Sequence, residues 1–347
     1  MPANVETMTY TTARGVPWHG LGKPVDGLMT AAEAVEAAGL DWHVVAKPIQ
    51  TVDGEPIDMK VANVRDTDGK VVGVVGNGYT IVQNRDAFDF ADAIVADGGA
   101  HFETAGSLNG GRTVFLSIEL SAVEPIKVEG DDSNFKPFLL LRNTHDGSSA
   151  LSGCVTMVRG VCENTVNLAF SGAKQQFNIR HSGDPTAKMQ QARDALGISV
   201  DYAKRFEAVA NALMAVEVTE DRATKILRDA FGMRESIEAK GVDSDMFVNH
   251  HATRTLELLN TAADLAPIKG TGWGVLQAVA EYIDHDRQYG KGSARDALDI
   301  KATSILWGQG QDVLNRTAVL IDPKVAKMMS ADSVRGAKRL AVRVKVA

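Results

Sequence analysis

The stretch that decides the fold is Leu139-Leu140-Leu141-Arg142-Asn143-Thr144-His145-Asp146-Gly147-Ser148-Ser149-Ala150-Leu151. An apolar run leads into an Asp-Gly pair and a second apolar run follows, which predicts a β-hairpin with strands over residues 138–143 and 150–158. Polar groups crowd around this turn. Because binding groups are often carried on a rigid β-scaffold, the hairpin is the first candidate for a site.

The segments before the hairpin also have strand periodicity. Runs over residues 42–52, 59–64 and 71–75 predict an antiparallel meander, and a helical stripe follows from Asn84 to Ala96. Asn109-Gly110-Gly111 separates two further strands, and Thr30 with Glu33 forms a predicted capping box. A helix over residues 161–171 and a short strand over residues 176–181 complete this part. The fold class is therefore α+β with an antiparallel sheet and packed helices, without βαβ repeats.

The character of the chain changes near residue 184. Apolar residues then recur with a 3.6-residue period, which predicts an α-helical region. We predict three parts: an α+β antiparallel-sheet domain over residues 1–184, an α-helical domain over 185–322, and a basic C-terminal tail over 323–347.

The charge of the chain is unevenly distributed. The net charge is -7, yet residues 324–347 hold seven basic residues and one acidic residue, or +6, which leaves -13 on the remainder. A basic tail on an acidic body indicates either a polyanion partner or self-association, or a solvated terminus. No apolar run is long enough to span a bilayer, and no secretory signal pattern opens the chain. Two cysteines, Cys154 and Cys162, without a CxxC spacing favour reduced thiols in a cytoplasm.

Three kinds of catalytic or ligand site have weak support. Glu281 and His285 have i, i+4 spacing, but one such pair is too few ligands for a metal site, so no metal or other cofactor is predicted. Cys162 with His145 and Asp146 would make a nucleophile trio, whereas buried structural thiols are the simpler interpretation. The glycine-rich stretch over residues 106–112 fits a hairpin turn better than a phosphate-binding loop.

A nucleic-acid surface is the fourth kind of site. Basic residues at strand ends or on polar strand faces can contact phosphates without a sequence motif. Asn143, His145, Asp146 and Asn164 would fix either the hairpin or a bound backbone, with Gly147 in the turn. Strand alternation places Arg142 opposite the face of Leu141 and Asn143, so Arg142 either leaves the core or pairs with Asp146. The predicted phosphate contacts are Arg112, Arg142, Arg159, Lys174 and Arg180.

The hairpin motif, from Asn143 to Leu151 and on to Val158-Arg159 and Val161-Cys162-Glu163-Asn164-Thr165, resembles the phage- and plasmid-associated proteins of the domain-of-unknown-function 932 family. Further matching stretches lie in order along the chain. They are Pro17-Trp18-His19-Gly20-Leu21-Gly22, Tyr79-Thr80-Ile81-Val82-Gln83-Asn84, Gly270-Thr271-Gly272-Trp273-Gly274-Val275 and Glu281-Tyr282-Ile283-Asp284-His285. This resemblance implies a mobile-element or phage origin and names no activity.

A fold-level analogy suggests a function. A three-stranded meander followed by a helix is similar to the β-β-β-α core of Rad52-type single-strand annealing proteins, which work as rings or filaments without ATP. The leading hypothesis is therefore a phage-encoded, oligomeric protein of the host cytoplasm that binds and anneals single-stranded DNA, together with a phage or host recombination protein. The alternatives are a non-catalytic phage protein that binds a host factor, and a metal-dependent hydrolase or nuclease that uses His145 and Asp146.

Overall fold

The computed structural model describes most of the chain. The described residues are 6–11, 23–26, 29–96, 100–121, 123–149, 151–159, 165–166, 168, 176–178, 185–232, 244–287 and 309–329. Their fold is mixed α+β with antiparallel sheets.

Nine of the described strands form one sheet, here called the large sheet. Its strands are β1 (Thr7–Thr11), β2 (Lys23–Val25), β6 (His101–Leu108), β7 (Thr113–Glu119), β8 (Ile126–Lys127), β9 (Asn134–Thr144), β10 (Ser152–Arg159), β11 (Thr165–Val166) and β12 (Gln176–Asn178). The order of neighbouring strands is β11-β10-β9-β7-β6-β1-β2, and in addition β12 pairs with β10 and β8 with β9. All neighbours are antiparallel except β1 and β2.

A second sheet, here called the small sheet, is an antiparallel meander of β3 (Val44–Gln50), β4 (Pro56–Arg65) and β5 (Val71–Gly76). The meander and the strands of the 138–158 hairpin were predicted, and both predictions are confirmed. The chain turns between β4 and β5 at Gly69, which has a positive φ of 72°. A glycine adopts that conformation without steric cost.

Seven α-helices lie within the described residues. They are α1 (Ala31–Ala37), α2 (Asn84–Ala96), α3 (Pro185–Met214), α4 (Glu220–Phe231), α5 (Ser244–Thr261), α6 (Gly272–Glu281) and α7 (Gln309–Ile321). The predicted capping box is present: the Thr30 hydroxyl accepts the Glu33 N–H at 3.2 Å, and the Glu33 carboxylate accepts the Thr30 N–H at 2.8 Å. A π-helical turn, Tyr282–Asp286, continues α6.

The helices after residue 184 share a hydrophobic core with the large sheet. Phe135 of β9 lies 5.3 Å from Phe206 of α3 and 5.4 Å from Trp273 of α6, measured between ring centroids. All three side chains are fully buried. The indole N–H of Trp273 donates to the Asp131 carboxylate at 2.9 Å, so the one polar atom of this aromatic cluster is paired.

Two sequence predictions need correction or addition. The helix predicted over residues 161–171 is wrong at Thr165–Val166, which form β11 and pair with Met157 and Val158 of β10. Thr165 and Val166 are both β-branched and lie beside β10 on the side away from β9, so they favour a strand. β1 was not predicted, although it lies inside the large sheet between β6 and β2.

The meander and the helix after it follow the predicted β-β-β-α order, but the packing of the helix differs from such a core. The order β-β-β-α is present along the chain as β3, β4, β5 and α2. However, α2 packs mainly on α1 and α3 and also reaches β9. The division into domains at residue 184 stays a prediction.

We expect Trp273→Ala to lower the free energy of unfolding by about 3–5 kcal/mol, because it removes a fully buried ring and leaves a cavity beside Phe135 and Phe206. Urea denaturation measures the change. Met59→Ala is the control, since Met59 is 73% exposed and its truncation should cost less than about 0.5 kcal/mol. Equal losses for the two variants would contradict the shared core.

Candidate functional site

The predicted Asp-Gly turn joins β9 to β10. The Asp146 carboxylate accepts the N–H of Ser148 at 2.9 Å, an Asx-turn contact, and Gly147 has a φ of 75°. The Thr144 hydroxyl donates to the Ser149 carbonyl at 2.6 Å and accepts its N–H at 3.2 Å. These local bonds fix the turn in which Asp146 and Gly147 lie.

His145 is buried at the junction between the two sheets. Its N–H donates to the carbonyl of Arg112, and its own carbonyl accepts the side-chain amide of Asn63 in β4 at 2.7 Å. The ring Nε2 lies 2.8 Å from Oδ1 of Asn84, the first residue of α2, and the ring meets Trp42 edge-on. The residue thus links the large sheet, the small sheet and a helix start.

The hydrogen bonds of Asn84 fix the tautomer of His145. The Asn84 amide nitrogen donates to the carbonyl of Leu40 at 2.9 Å, so its Oδ1 is the atom that faces the imidazole. An amide oxygen only accepts, so Nε2 of His145 carries the proton. Burial lowers the pKa of His145 to about 4, although the nearby Asp146 carboxylate opposes the shift. The ring is therefore neutral near pH 7.

Two further contacts bind the hairpin to the segment before α2. The Asn143 amide donates to the carbonyl of Val82 at 2.9 Å, and the Tyr79 hydroxyl donates to the carbonyl of Thr144 at 2.9 Å. Burial, together with the charge of Asp146, raises the pKa of Tyr79. Asn143 and His145 were predicted to fix either the hairpin or a bound backbone, and their burial at 2% and 1% exposure favours the first role.

Arg142 lies on the opposite face of the large sheet from Leu141 and Asn143, as strand alternation predicted. The pairing register places it directly between Phe115 of β7 and Ser152 of β10. Its guanidinium is half-buried and donates to the Ser149 hydroxyl at 2.7 Å. Burial lowers the pKa of Arg142, and the neighbouring Cys154 and Asp146 oppose that shift.

Other charged residues lie on or beside this face. Lys136 is on the same face of β9 as Arg142, and its ammonium lies 3.7 Å from the Glu119 carboxylate of β7. Arg112 is exposed in the turn between β6 and β7, which confirms the hairpin interpretation of that glycine-rich stretch. We call Phe115, Lys136, Arg142 and Ser152 the Arg142 face.

The remaining predicted site residues are not part of the Arg142 face. β10 ends at Arg159, whose backbone pairs with Phe135, seven residues along β9 from Arg142. Cys154 is buried on β10, and its thiol donates to the Val155 carbonyl, with 3.7 Å between sulfur and oxygen. The predictions for Cys162, Asn164, Lys174 and Arg180 lie outside the described residues.

An ion cluster around Arg65, at the turn between β4 and β5, was not predicted. Arg65 of β4 is 7% exposed and donates to both oxygens of Glu6, at 2.6 and 2.7 Å, and to both oxygens of Asp68. Its guanidinium also lies over the Trp42 ring at 5.3 Å. The hydrogen bonds from Arg65 lower the pKa of Asp68 to about 2. The i, i+3 spacing of Arg65 and Asp68 is readable in the sequence, whereas the contact with Glu6 crosses 59 residues.

Neither a metal cluster nor a membrane span is found in the described part of the chain. No three His, Cys, Asp or Glu side chains come together there in a way that could hold a metal ion. Glu281 and His285, the pair considered above, lie at the end of α6 and in the π-helical turn. No helix in the same part is both long and apolar enough to cross a membrane.

Comparison with known families gives one match. The family model described as "Domain of unknown function (DUF932)" matches residues 71–319, which include the small sheet's last strand, the hairpin and most of the helices. The chain belongs to the DUF932 family. No curated protein and no solved structure matches it.

We expect acid to destabilise this DUF932 protein through His145. The pKa of His145 is about 4 in the folded chain and about 6.5 in the unfolded chain. Its contribution to the free energy of unfolding is therefore complete above pH 6.5 and is lost as the pH falls towards 4. The loss should reach about 3 kcal/mol, measured by urea denaturation across that range. His145→Gln should flatten this part of the profile, whereas His43→Gln, at an exposed ring, should leave it unchanged. An identical profile for His145→Gln would contradict the assignment.

The contact between the hairpin and β5 predicts a steric effect at Gly73. A Cβ there would lie 2.5 Å from the Cα of Asp146 and closer still to the His145 carbonyl oxygen. Because both neighbours are backbone atoms, we expect Gly73→Ala to lower the melting temperature by several degrees or more. Gly76→Ala in the same strand is the matched control, since no atom lies within 4 Å of its Cβ position. Similar melting temperatures for the two variants would argue against the close approach.

Proposed function

We propose that this DUF932 protein is a phage-encoded protein that binds single-stranded DNA and promotes annealing in recombination without ATP, as an oligomer in the bacterial cytoplasm. The observation that carries the proposal is the Arg142 face. There a partly exposed aromatic ring, a guanidinium and a hydroxyl lie side by side across three strands, from Phe115 through Arg142 to Ser152.

This combination suits a single strand of nucleic acid. Aromatic rings stack on bases regardless of sequence, and neighbouring cations contact the phosphate backbone. Lys136 lies six residues from Arg142 on the same face of β9, so the two cations are about 20 Å apart along the strand. Phe138 and Leu140, which lie between them on this face, are buried, so each cation would contact a phosphate at its own end of the face.

Two acidic side chains lie near this face. Glu119 is paired with Lys136, and Glu103 accepts a hydrogen bond from the Ser117 hydroxyl at 3.3 Å. A single chain with a net charge of -7 would repel DNA over much of its surface. An oligomer that aligns the Arg142 faces of several copies would provide a continuous basic path, which is why we include self-association.

The order of the meander and the following helix, β3, β4, β5 and α2, is similar to that of the Rad52-type core, and this fold analogy is what suggests annealing. The hydrolase alternative has less support, because His145 is enclosed and its Nε2–H is already bonded to Asn84. Of the predicted contacts, the proposal retains Arg112, Arg142 and Arg159 and adds Phe115 and Lys136, while Lys174 and Arg180, outside the described residues, stay predictions.

We expect labelled single-stranded oligonucleotides to bind at about 50 mM salt and to dissociate as salt rises, since backbone contacts release counterions. Fluorescence anisotropy measures both effects. Arg142→Gln and Arg112→Gln should each weaken binding several-fold at all sequences and reduce the salt slope by about one. Lys225→Gln, which removes an equal charge from exposed α4, is the control. Absence of binding at 50 mM salt would refute the proposal.

Phe115→Leu tests the stacking contribution separately. It keeps an apolar side chain at a half-buried position while removing the ring, and should weaken binding without changing the salt slope. Arg159→Glu distinguishes two roles for that residue. Loss of folding would indicate that Arg159 braces the sheet, whereas loss of binding in a folded protein would indicate that it contacts DNA.

A further inference from the structure

The two edges of the small sheet differ in how they are protected. At the β3 edge, the Gln83 side chain occupies both the N–H and the carbonyl of Val44, each at 2.9 Å. Pro48 lacks an N–H, and Lys47 is exposed beside it. Blocked backbone groups, proline and lysine all discourage a further strand.

The β5 edge has none of these protections. Its sequence, Val71-Val72-Gly73-Val74-Val75-Gly76, contains neither charge nor proline. Within the described residues, no strand pairs with it on the side away from β4. Val71 is 50% exposed and Val74 is 52% exposed. An open, uncharged edge with exposed β-branched residues is a template for strand addition.

The large apolar side chains that are exposed also concentrate here. Of the six that are exposed among the described residues, five lie in the small sheet or its turns, and only Val200 lies elsewhere. Val45, Val71 and Val74 are on the outer face, because the register pairs Val45 with Val64, Val64 with Val71, and Ala62 with Val74. Gly73 faces the opposite way, towards the hairpin. The β5 edge therefore has an apolar outer side.

The chain contains a segment that suits this edge. Beyond residue 329, the last one described, Leu340, Val342, Val344 and Val346 alternate with Arg339, Ala341, Arg343, Lys345 and Ala347. Strict alternation with β-branched residues predicts a strand that has one apolar face and one basic face. We call residues 339–346 the C-terminal strand segment.

The two faces of this segment match the two sides of the β5 edge. If its valines continue the apolar outer face of Val71 and Val74, its cations lie on the inner side, where the backbone of Asp146 packs against Gly73. The cations then lie on the same side as the Asp146 carboxylate. The net charges also complement each other, with +6 over residues 324–347 and -13 on the rest of the chain.

We propose that the C-terminal strand segment of a second copy of this chain adds to the edge of β5 as a fourth strand of the small sheet. Main-chain hydrogen bonds supply affinity, and the alternating side chains supply orientation. The added strand would cover Val71 and Val74, which explains why an edge so rich in valine lacks the protections found at β3.

The distance to be spanned favours a second copy over the same chain. Ile321, at the end of α7, packs on Gly272, next to Trp273 and Phe135 at the start of β9. The small sheet joins the other end of β9 at Thr144, about 30 Å away. Residues 330–338 reach roughly 30 Å when fully extended. The short helix Pro323–Lys327 packs back on α7 and the Met329 N–H donates to the Val325 carbonyl, so this linker starts beside α7. An intramolecular connection would therefore have to be almost fully extended, whereas a neighbouring copy sets no such requirement.

Each copy would then donate one strand and accept another. Such a head-to-tail contact is heterologous, and it closes into a ring or continues as a filament. This mode of assembly supplies the oligomer that the proposed function requires, but it does not depend on DNA. The two proposals can therefore fail separately.

Two full-length variants test the proposal. Val74→Lys places a charge on the acceptor edge, and Val342→Asp with Val344→Asp places two charges on the donor face. Light scattering in the absence of nucleic acid should show an oligomer for the unmodified chain and a single-chain mass of 37.1 kDa for each variant. Val45→Lys is the matched control: Val45 is 40% exposed on the same face at the β3 edge, and this variant should still assemble.

Mixing the two variants gives the decisive measurement. The Val74→Lys chain keeps an intact donor segment, and the Val342→Asp/Val344→Asp chain keeps an intact edge, so together they should form a 1:1 heterodimer. A monomeric unmodified chain at every concentration, equal dissociation by Val45→Lys, or no heterodimer in the mixture would each overturn the proposal. Assembly that persists without DNA binding would overturn only the proposed function.

Discussion

His145 is buried between two β-sheets, where its ring and backbone are hydrogen-bonded to the turn before β7, to β4 and to the start of α2. An imidazole removed from water is tolerated only when its polar atoms have partners, since an unpaired buried group costs about 1–3 kcal/mol. Asn84 supplies the partner of the ring Nε2–H, and Asn63, from a different segment, supplies the partner of the His145 backbone carbonyl. The position of the small sheet on the large one therefore depends on this residue and on the Asp-Gly turn that follows it.

The polar residues of the hairpin divide according to strand alternation. Asn143 faces inward and His145 is enclosed, so both contribute to the fold, while Arg142 reaches the opposite face beside Phe115. A motif that looks like one polar cluster in the sequence thus has two separate roles in the structure. The partly exposed face with Arg142 supports the functional proposal, and the buried residues hold the hairpin against the small sheet and α2.

The small sheet is attached to the rest of the fold on one side and has the proposed assembly edge on the other. Its inner side is fixed by the hairpin and by Arg65, which binds Glu6 and Asp68 and lies over Trp42. Its outer side leaves valines exposed at β5, although β3 is protected. Rigid attachment on one side and an open edge on the other are the conditions under which strand addition orders a neighbouring chain at little conformational cost.

The sequence by itself determined the meander, the hairpins, the helix caps and the side on which Arg142 lies, because these depend on local periodicity and turn residues such as Asp146 and Gly147. It did not determine β1, which lies between β6 and the edge strand β2, or β11 in place of a helix, since short segments take their structure from neighbouring strands. The links of His145 to Asn63 and Asn84, and of Arg65 to Glu6, join residues that are 59 to 82 positions apart. Only the tertiary structure decided those, because hydrogen bonds over such separations leave no local pattern in the chain.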